Sequence, residues 1–547
     1  MSTLPASVDV LVVGFGPAGA TMANLLGRYG VRTLVVDRAA DIFTAPRAIA
    51  LDNEALRVLQ LAGLQEHDFE TIAIPHVQMH CPVFGRYSRA NTAGQLDGHP
   101  KLVTFYQPEL EAVLRARLAG SGHVQVATQT ELMDFTQDAS GVQARLRHAD
   151  GSEQVVQARY MVGVDGASSF VRGKLGLEFT GKTFQQDWLI VDAKNVAKQI
   201  DHVEFICDPH RPTPHMVAPG GRQRWEFMLR PGETREQMEQ PDAVRRLLAP
   251  WAQLQDIEIE RIAVYRFHAR LAKAFQKGRV FLAGDAAHLT PPFVGQGLVA
   301  GLRDVANLSW KLAWVCHGRA SPALLESYTA ERRPHAKAMI DLALLMGRLV
   351  MPTNKLAAIA IHGFVRLMQY VKPARRLIED LQIKPKPAFK AGVFAPRCSG
   401  SPLLRGGLMA QSWVRRGQEA PVLSDEALGP HLTLLGFGVD PLTHLDAELR
   451  RRWTNAGGRS VQFTHRGQAL NLGQATEVWE DLTQALVPGL APVGWLAVVR
   501  PDRTILHDGP ATDVNRLVRE SLALLGAAET VGPKGHALPQ QSKWHVV

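Results

Sequence analysis

A short apolar strand that runs into a glycine-punctuated turn and then a helix leaves a chain few folds to choose from. Residues 8–13 are apolar and rich in β-branched side chains, so they read as a buried strand. Gly14, Gly16 and Gly19 follow as G-x-G-x-x-G, with Pro17 and Ala18 between them, and the next residues have helical spacing. The first glycine permits a tight turn, the second lets backbone approach a pyrophosphate, and the third lets helix pack on strand. The helix N-terminus then offers free N–H groups and partial positive charge to the phosphates. A second apolar run, RTLVVD, ends at Asp37, 23 positions after Gly14. An acid there suits a ribose hydroxyl of an unphosphorylated dinucleotide. The motif alone does not separate FAD from NAD.

The chain has 547 residues, enough for two to four domains, and 46% of them are hydrophobic. Its net charge of +9 is spread without a long Lys/Arg block. Nucleic-acid binding is therefore not expected, and a weak preference for anionic small molecules is compatible. Four cysteines lie far apart with no C-x-x-C and no metal-ligand spacing, so no metal is expected and a reduced, cytoplasmic setting fits. The first ten residues lack a signal-peptide pattern. The apolar stretch LALLMGRLVMPTNKLAAIAIHGFV is broken by Arg348, Pro352 and Lys355, so it reads as packed helices rather than a membrane span.

Two further segments carry chemistry. ARYMVGVDGASSFVR places Asp165 and Gly166 at the end of a buried strand. GRVFLAGDAAHLTPPFVGQGLVAGLRDVANLSWKL places Gly284 and Asp285 at the end of another, before a Pro-Pro-x-x-Gly-x-Gly turn that opens a long helix. A carboxylate at a strand end can accept a hydrogen bond from a sugar-alcohol hydroxyl. Prolines stiffen the loop, glycines admit a ring closely, and the helix N-terminus favours negative charge.

Together the three segments resemble the group A flavoprotein aromatic hydroxylases, which have the para-hydroxybenzoate hydroxylase fold. The resemblance covers roughly residues 8–345 and implies FAD as the dinucleotide. By position, Asp37 would bind the adenosine ribose, Arg38 would belong to the cofactor site, and Arg47 would lie near the pyrophosphate and flavin. Gln107 would contact the flavin side, and Asp165 would touch FAD and nicotinamide. Asp285 would hold the ribityl chain, and the stretch from Pro292 through Gly295 and Gly297 to Leu298 would cradle the ring. No second G-x-G-x-x-G follows a strand, as expected of a family without a separate nicotinamide domain.

The implied fold is α/β: a Rossmann-like FAD-binding domain (1–75, 106–181 and 271–345) interleaved with a β-sheet substrate domain (76–105 and 182–270). A helical extension (346–385), a linker (386–403) and a thioredoxin-like α/β domain (404–547) without C-x-x-C would follow. Segments such as CDPHRPTP, RWEFMLRPGETREQM and YTAERRPHAKAMIDL resemble the branch acting on 3-(3-hydroxyphenyl)propionate. The resemblance implies that NADH or NADPH reduces FAD. A flavin C4a-hydroperoxide formed with O2 then hydroxylates a phenolic acid ortho to its hydroxyl. Another phenol, a resorcinol or a polyketide is the second reading, and a flavin-binding protein that does not hydroxylate the third. A second copy of the chain, in a homodimer, is the further partner considered.

Among polar residues of the substrate sheet, Arg224 lies on a strand resembling the family strand with an arginine beside the flavin. Arg211 could hold a carboxylate by a bidentate pair, and His215 could accept the phenol proton. Tyr265 alternates with apolar neighbours and reads as core, and His288 reads as a structural hydrogen-bonding group. Phenol hydroxylase relatives carry an acid after the first helix. Here Ile49 stands in that place with Asp52 nearby, which leaves the proton acceptor open.

Overall fold

A computed structural model describes residues 4–45, 48–196, 198–251, 257–352, 354–379, 383–468 and 476–526. The β-branched run at the start becomes the strand Ser7–Val13, paired in parallel with Thr33–Val36 on one side and Glu153–Gly163 on the other. Val124–Ala127 extends the sheet beyond Thr33–Val36, again in parallel. Val280–Leu282 pairs in parallel with Met161–Gly163. The strand ends at Val13, Gly163 and Leu282 thus lie along one edge, and the loops after them converge there. Ligands of open parallel sheets bind outside such carboxyl ends. The helices Pro17–Arg28 and Gly297–Cys316 pack here, and Val10, Leu11, Val12, Met161, Val162, Phe281 and Leu282 are fully buried.

A second sheet has eight strands, in the order His288–Leu289, Glu258–Ala272, Phe179–Lys194, Arg222–Met228, Thr213–Ala218, Val203–Ile206, His76–Cys81, Gly85–Asn91. Its two longest strands run through positions 181/182 and 270/271, so the two units join inside strands rather than in loops. One face carries Leu189, Val191, Trp225 and Phe227, covered by the helices Arg235–Met238 and Pro241–Leu248. The other face is turned towards the strand ends of the first sheet.

Seven strands, from Trp413–Arg415 to Ile505–Pro510, form a third sheet with parallel pairing at its centre, flanked by helices that include Ala447–Asn455 and Val514–Leu524. Buried ion pairs fasten this α/β unit to the first. Arg57 donates twice to Asp425, at 2.7 and 2.8 Å, and once to the Met409 carbonyl. Arg500 donates twice to Glu331, which also accepts from Lys311. Breaking one partner of such a pair strands a buried charge, at a cost of about 3–5 kcal/mol. The apolar stretch after residue 341 forms the end of the helix Ser327–Val350 and the helix Lys355–Met368. Among the described residues no single helix is long and apolar enough to cross a membrane.

Candidate active site

The glycine turn is shaped for backbone contact. A Cβ on Gly19 would fall 2.1 Å from the Gly14 carbonyl oxygen, so only glycine lets the helix sit this close to the strand. Gly14 itself has φ +111°, which L side chains rarely adopt. Gly16 differs: its backbone is extended and a Cβ there would meet nothing within 4 Å. That open space lies over a helix N-terminus whose cap makes no side-chain hydrogen bond and whose first N–H groups have no intrahelical partner. Asp37 closes the turn by accepting from the Phe15 amide at 2.6 Å and the Ala39 amide at 2.8 Å. Gly16, Pro17, Ala18 and Asp37 line a cavity, while Gly14 and Gly19 serve the packing behind it. Arg38 is exposed and off the cavity wall, and Arg47 lies outside the described residues.

The other two strand ends complete this wall. Asp165 turns its carboxylate into its own loop, accepting from Ser169 Oγ and the Val171 amide, so Gly166 rather than Asp165 lines the cavity. Gly284 and Asp285 line it directly, as do the residues from Pro292 to Leu298. Gly295 is left-handed, with φ +62°, and turns the chain into the 20-residue helix that starts at Gly297. This second helix N-terminus also opens on the cavity without a side-chain cap. Gln107 lines the cavity as well, and its Oε1 accepts from the Ala48 amide.

Asp304, which the sequence reading did not single out, fixes the Gly284 turn. Fully buried, it accepts from the Gly284 amide at 3.0 Å and from Arg332 Nε at 2.8 Å, and it pairs with His288 Nε2 at 2.6 Å. Burial pushes its carboxyl up, but His288 and Arg332 more than offset this and hold it below the usual carboxylate range. Asp52 lines the cavity too, but it is saturated. It accepts from the Ala55 amide, Gln296, Arg303 and Lys384, with Glu54 sharing Arg303 and Lys384. Burial is again outweighed, here by Lys384 and Arg303, so Asp52 stays ionised and poorly basic.

The cavity measures about 1930 Å³ and continues onto the inner face of the second sheet. That is about twice the upper end, about 1,000 Å³, of an ordinary ligand pocket, so a dinucleotide leaves room for a second molecule. Register decides which side chains face it. Arg224 lies opposite Asp192, and Glu226 opposite Ile190, on adjacent antiparallel strands. Directly opposed residues share a face, and residues two apart on a strand share it too. Ile190, Val203, Phe205, Met216 and Phe267 supply apolar wall, and its polar groups include Arg224, Glu226, Arg261 and Tyr265, with Arg266 and His268 beside them. Arg224 binds Asp192 through Nε and Nη2, at 2.6 and 2.9 Å. Arg261 donates to Tyr265 Oη at 2.6 Å and lies 3.5 Å from Asp192. Tyr265, expected in the core, therefore belongs to the cavity wall.

The structure does not bring His215 and Arg211 to this wall. His215 neighbours Trp225 in register, one residue out of phase with Arg224, so it points to the opposite face. There it stacks on Trp225 at 4.6 Å, with its ring nitrogens bonded to Glu204 and Gln223. Arg211 is consumed by Glu233, at 2.5 and 3.0 Å, and by the Met228 carbonyl, so it leaves no fork for a substrate carboxylate.

The site fits FAD on its own features: an open space at Gly16, two uncapped helix N-termini on one cavity, and a carboxylate-braced turn. Comparison with known proteins agrees. Residues 7–343, more than half of the chain, match the FAD binding domain family, and residues 406–524 match the HcaD C-terminal domain family. The 3-(3-hydroxy-phenyl)propionate/3-hydroxycinnamic acid hydroxylase 2 of Burkholderia vietnamiensis is 36% identical over 92% of this chain and 94% of its own length. A Mycobacterium sp. (strain KMS) hydroxylase named for the same two substrates is 40% identical over 98% of this chain and 94% of its own. Among solved structures, the flavin-dependent monooxygenase PieE, in complex with FAD and substrate, shares the fold. Its TM-score is 0.77 at 20% identity, covering 95% of this chain and 99% of that one. Aklavinone-11 hydroxylase shares it with a TM-score of 0.72 at 22% identity, covering 95% and 100%. The chain belongs to the group A FAD-dependent aromatic hydroxylases and is a flavoprotein aromatic monooxygenase.

Proposed function

We propose that the enzyme uses NADH or NADPH and O2 to hydroxylate a phenolic acid ortho to its hydroxyl, converting 3-(3-hydroxyphenyl)propionate to the 2,3-dihydroxy product. The observation that carries this reading is the single cavity running from the glycine cradle to the inner face of the second sheet. It sits in a chain 36–40% identical to hydroxylases named for that substrate. Bound FAD supplies hydride acceptance and oxygen activation, and the protein supplies binding, orientation and proton handling. Gly16, Pro17, Ala18 and Asp37 would hold its adenosine diphosphate half. Gln107, Asp285 and the 292–298 turn would hold the ribityl chain and ring. Ile190, Phe205, Met216 and Phe267 would sandwich the substrate ring and exclude water from it.

The phenol must be held as, or converted to, its anion, because the oxyanion directs electron density to the ortho carbon that takes up oxygen. The buried Arg224–Asp192–Arg261 cluster gives the wall fixed positive charge to receive it. The sequence offers no second strand–glycine–helix unit for the nicotinamide, which supports NAD(P)H as a visiting co-substrate.

The test is NADH and NADPH oxidation by the yellow protein, with and without 3-(3-hydroxyphenyl)propionate, and identification of the product isomer. Strong stimulation with a 2,3-dihydroxy product is expected. Stimulation with peroxide as the only product, or a para-hydroxylated product, would refute the substrate or the regiochemistry.

A further inference from the structure

Hydroxylation of a phenol needs somewhere for the phenol proton to go, and most carboxylates on the cavity wall are already committed. Asp37 accepts two amides of its own turn. Asp52 and Glu54 share Arg303 and Lys384. Glu111 is paired with Arg115, and Asp97 accepts from the Gln411 amide. Asp41 is exposed, and Asp285 belongs to the glycine loop. Glu226 is different. It is 7% exposed and lines the cavity, and no group among the described residues donates a hydrogen bond to it.

We propose that Glu226 is the general base that takes the phenol proton. This rests on the phenolic substrate proposed above. Glu226 stands two residues from Arg224 on the same strand and the same face, opposite Ile190 of the neighbouring strand. Arg224, Asp192, Arg261 and Tyr265 are the charged and titratable groups on this face, and Arg266 and His268 of the Tyr265 strand line the same cavity. In the step, the phenol O–H bond breaks and a new O–H bond forms on a Glu226 carboxylate oxygen. The electron pair stays on the phenolate oxygen. Before the step the local charge is two arginines against two carboxylates. Afterwards the phenolate replaces Glu226 in that balance, so no net charge is created in the buried wall. Burial pushes the Glu226 carboxyl above the usual carboxylate range, with Arg224 pulling down and Asp192 pushing up. A raised value narrows the gap to a phenol near about 10, which makes the transfer less uphill.

The experiment compares the pH profile of hydroxylated-product formation for wild type, Glu226→Gln and Glu226→Asp, each with its flavin absorbance recorded. Wild-type turnover with product analysis comes first. Failure of the phenolic reading appears as no hydroxylated product from wild type, and failure of the present proposal appears only in the profiles. In wild type, kcat/KM is expected to fall on an acidic limb that stays in place across ring-fluorinated phenols of different acidity, because the limb belongs to the protein. Glu226→Gln is expected to lose about 100-fold or more at neutral pH, to lack that limb, and to recover as the pH approaches the phenol's own ionisation. Glu226→Asp is expected to keep the limb at a reduced rate. A wild-type limb that tracks the phenol, or a Glu226→Gln enzyme that keeps the wild-type profile or loses activity equally at every pH, would overturn the proposal.

Discussion

Replacing Gly16 with alanine separates what the glycine turn does for the fold from what it does for the cofactor. The backbone at Gly16 has φ −70° and ψ −174°, an extended conformation open to any L residue, and a Cβ there meets no protein atom within 4 Å. Gly16→Ala should therefore leave the apoprotein's stability within about 1 kcal/mol of wild type, the scale of compatible Gly→Ala changes. The methyl group would stand in the open space over the first helix N-terminus, where the pyrophosphate must approach the amides. Losing one charge-assisted hydrogen bond costs about 1.5–3 kcal/mol. At about 1.4 kcal/mol per tenfold, FAD affinity should fall about 10- to 150-fold. The assay is a titration of apoprotein with FAD, read by flavin fluorescence, beside urea unfolding of the same apoprotein. Gly19→Ala is the contrasting control. Its Cβ would collide with the Gly14 carbonyl at 2.1 Å, so it should lose stability as well as FAD. A Gly16→Ala protein that binds FAD like wild type would refute the placement of the phosphates. One that unfolds much earlier as apoprotein would refute the claim that this glycine is there for the ligand.

Acid should unfold the protein through its buried carboxylates. Asp52 and Glu331 are held below their ordinary values of 3.8 and 4.5 because Lys384 with Arg303, and Arg500 with Lys311, outweigh the effect of burial. Their folded values lie below their unfolded ones, so their contribution is complete above the unfolded values and is lost as pH falls through that range. Tm should hold through the neutral range and drop below about pH 4.5, and a Tm that rises on acidification from pH 5 would contradict the sign. His215→Phe should cost about 1–3 kcal/mol by unpairing Glu204 and Gln223 while leaving kcat and KM close to wild type, since the ring faces away from the cavity. Urea unfolding and steady-state kinetics on one preparation check both halves, and a large loss of turnover with intact stability would move His215 back into the chemistry.

What the sequence made legible was contiguous. The strand, the Gly14–Gly19 turn and Asp37 lie within one short unit, and the Gly284–Leu298 stretch carries its loop and helix start together. The α/β class and the FAD cradle follow from such local patterns. Contacts that join distant segments were hidden. Asp304 reaches the Gly284 turn from the middle of a helix, and the Asp52–Arg303–Lys384 cluster gathers residues more than 300 positions apart. Faces of the second sheet were also hidden, because a one-residue change of phase moves a side chain to the other side. His215 and Arg224 were both candidates, yet the pairing of Met216 with Arg224 puts His215 outside. The same alternation that puts Arg224 on the wall carries Glu226 there, and period-two counting along RQRWEFM could have found it. Arg211 looked available only because Glu233, 22 residues away, was not visible as its partner.

As proposed above, this chain transfers oxygen from O2 to an aromatic ring while oxidising a reduced nicotinamide. The most direct measurement supplies oxygen-18-labelled O2 to the FAD-loaded enzyme with NADH or NADPH and 3-(3-hydroxyphenyl)propionate, and weighs the product. A dihydroxylated product carrying one labelled oxygen, formed in step with nicotinamide oxidation, is expected. Nicotinamide oxidation at the same rate with and without the phenol, and no label in any aromatic product, would contradict it.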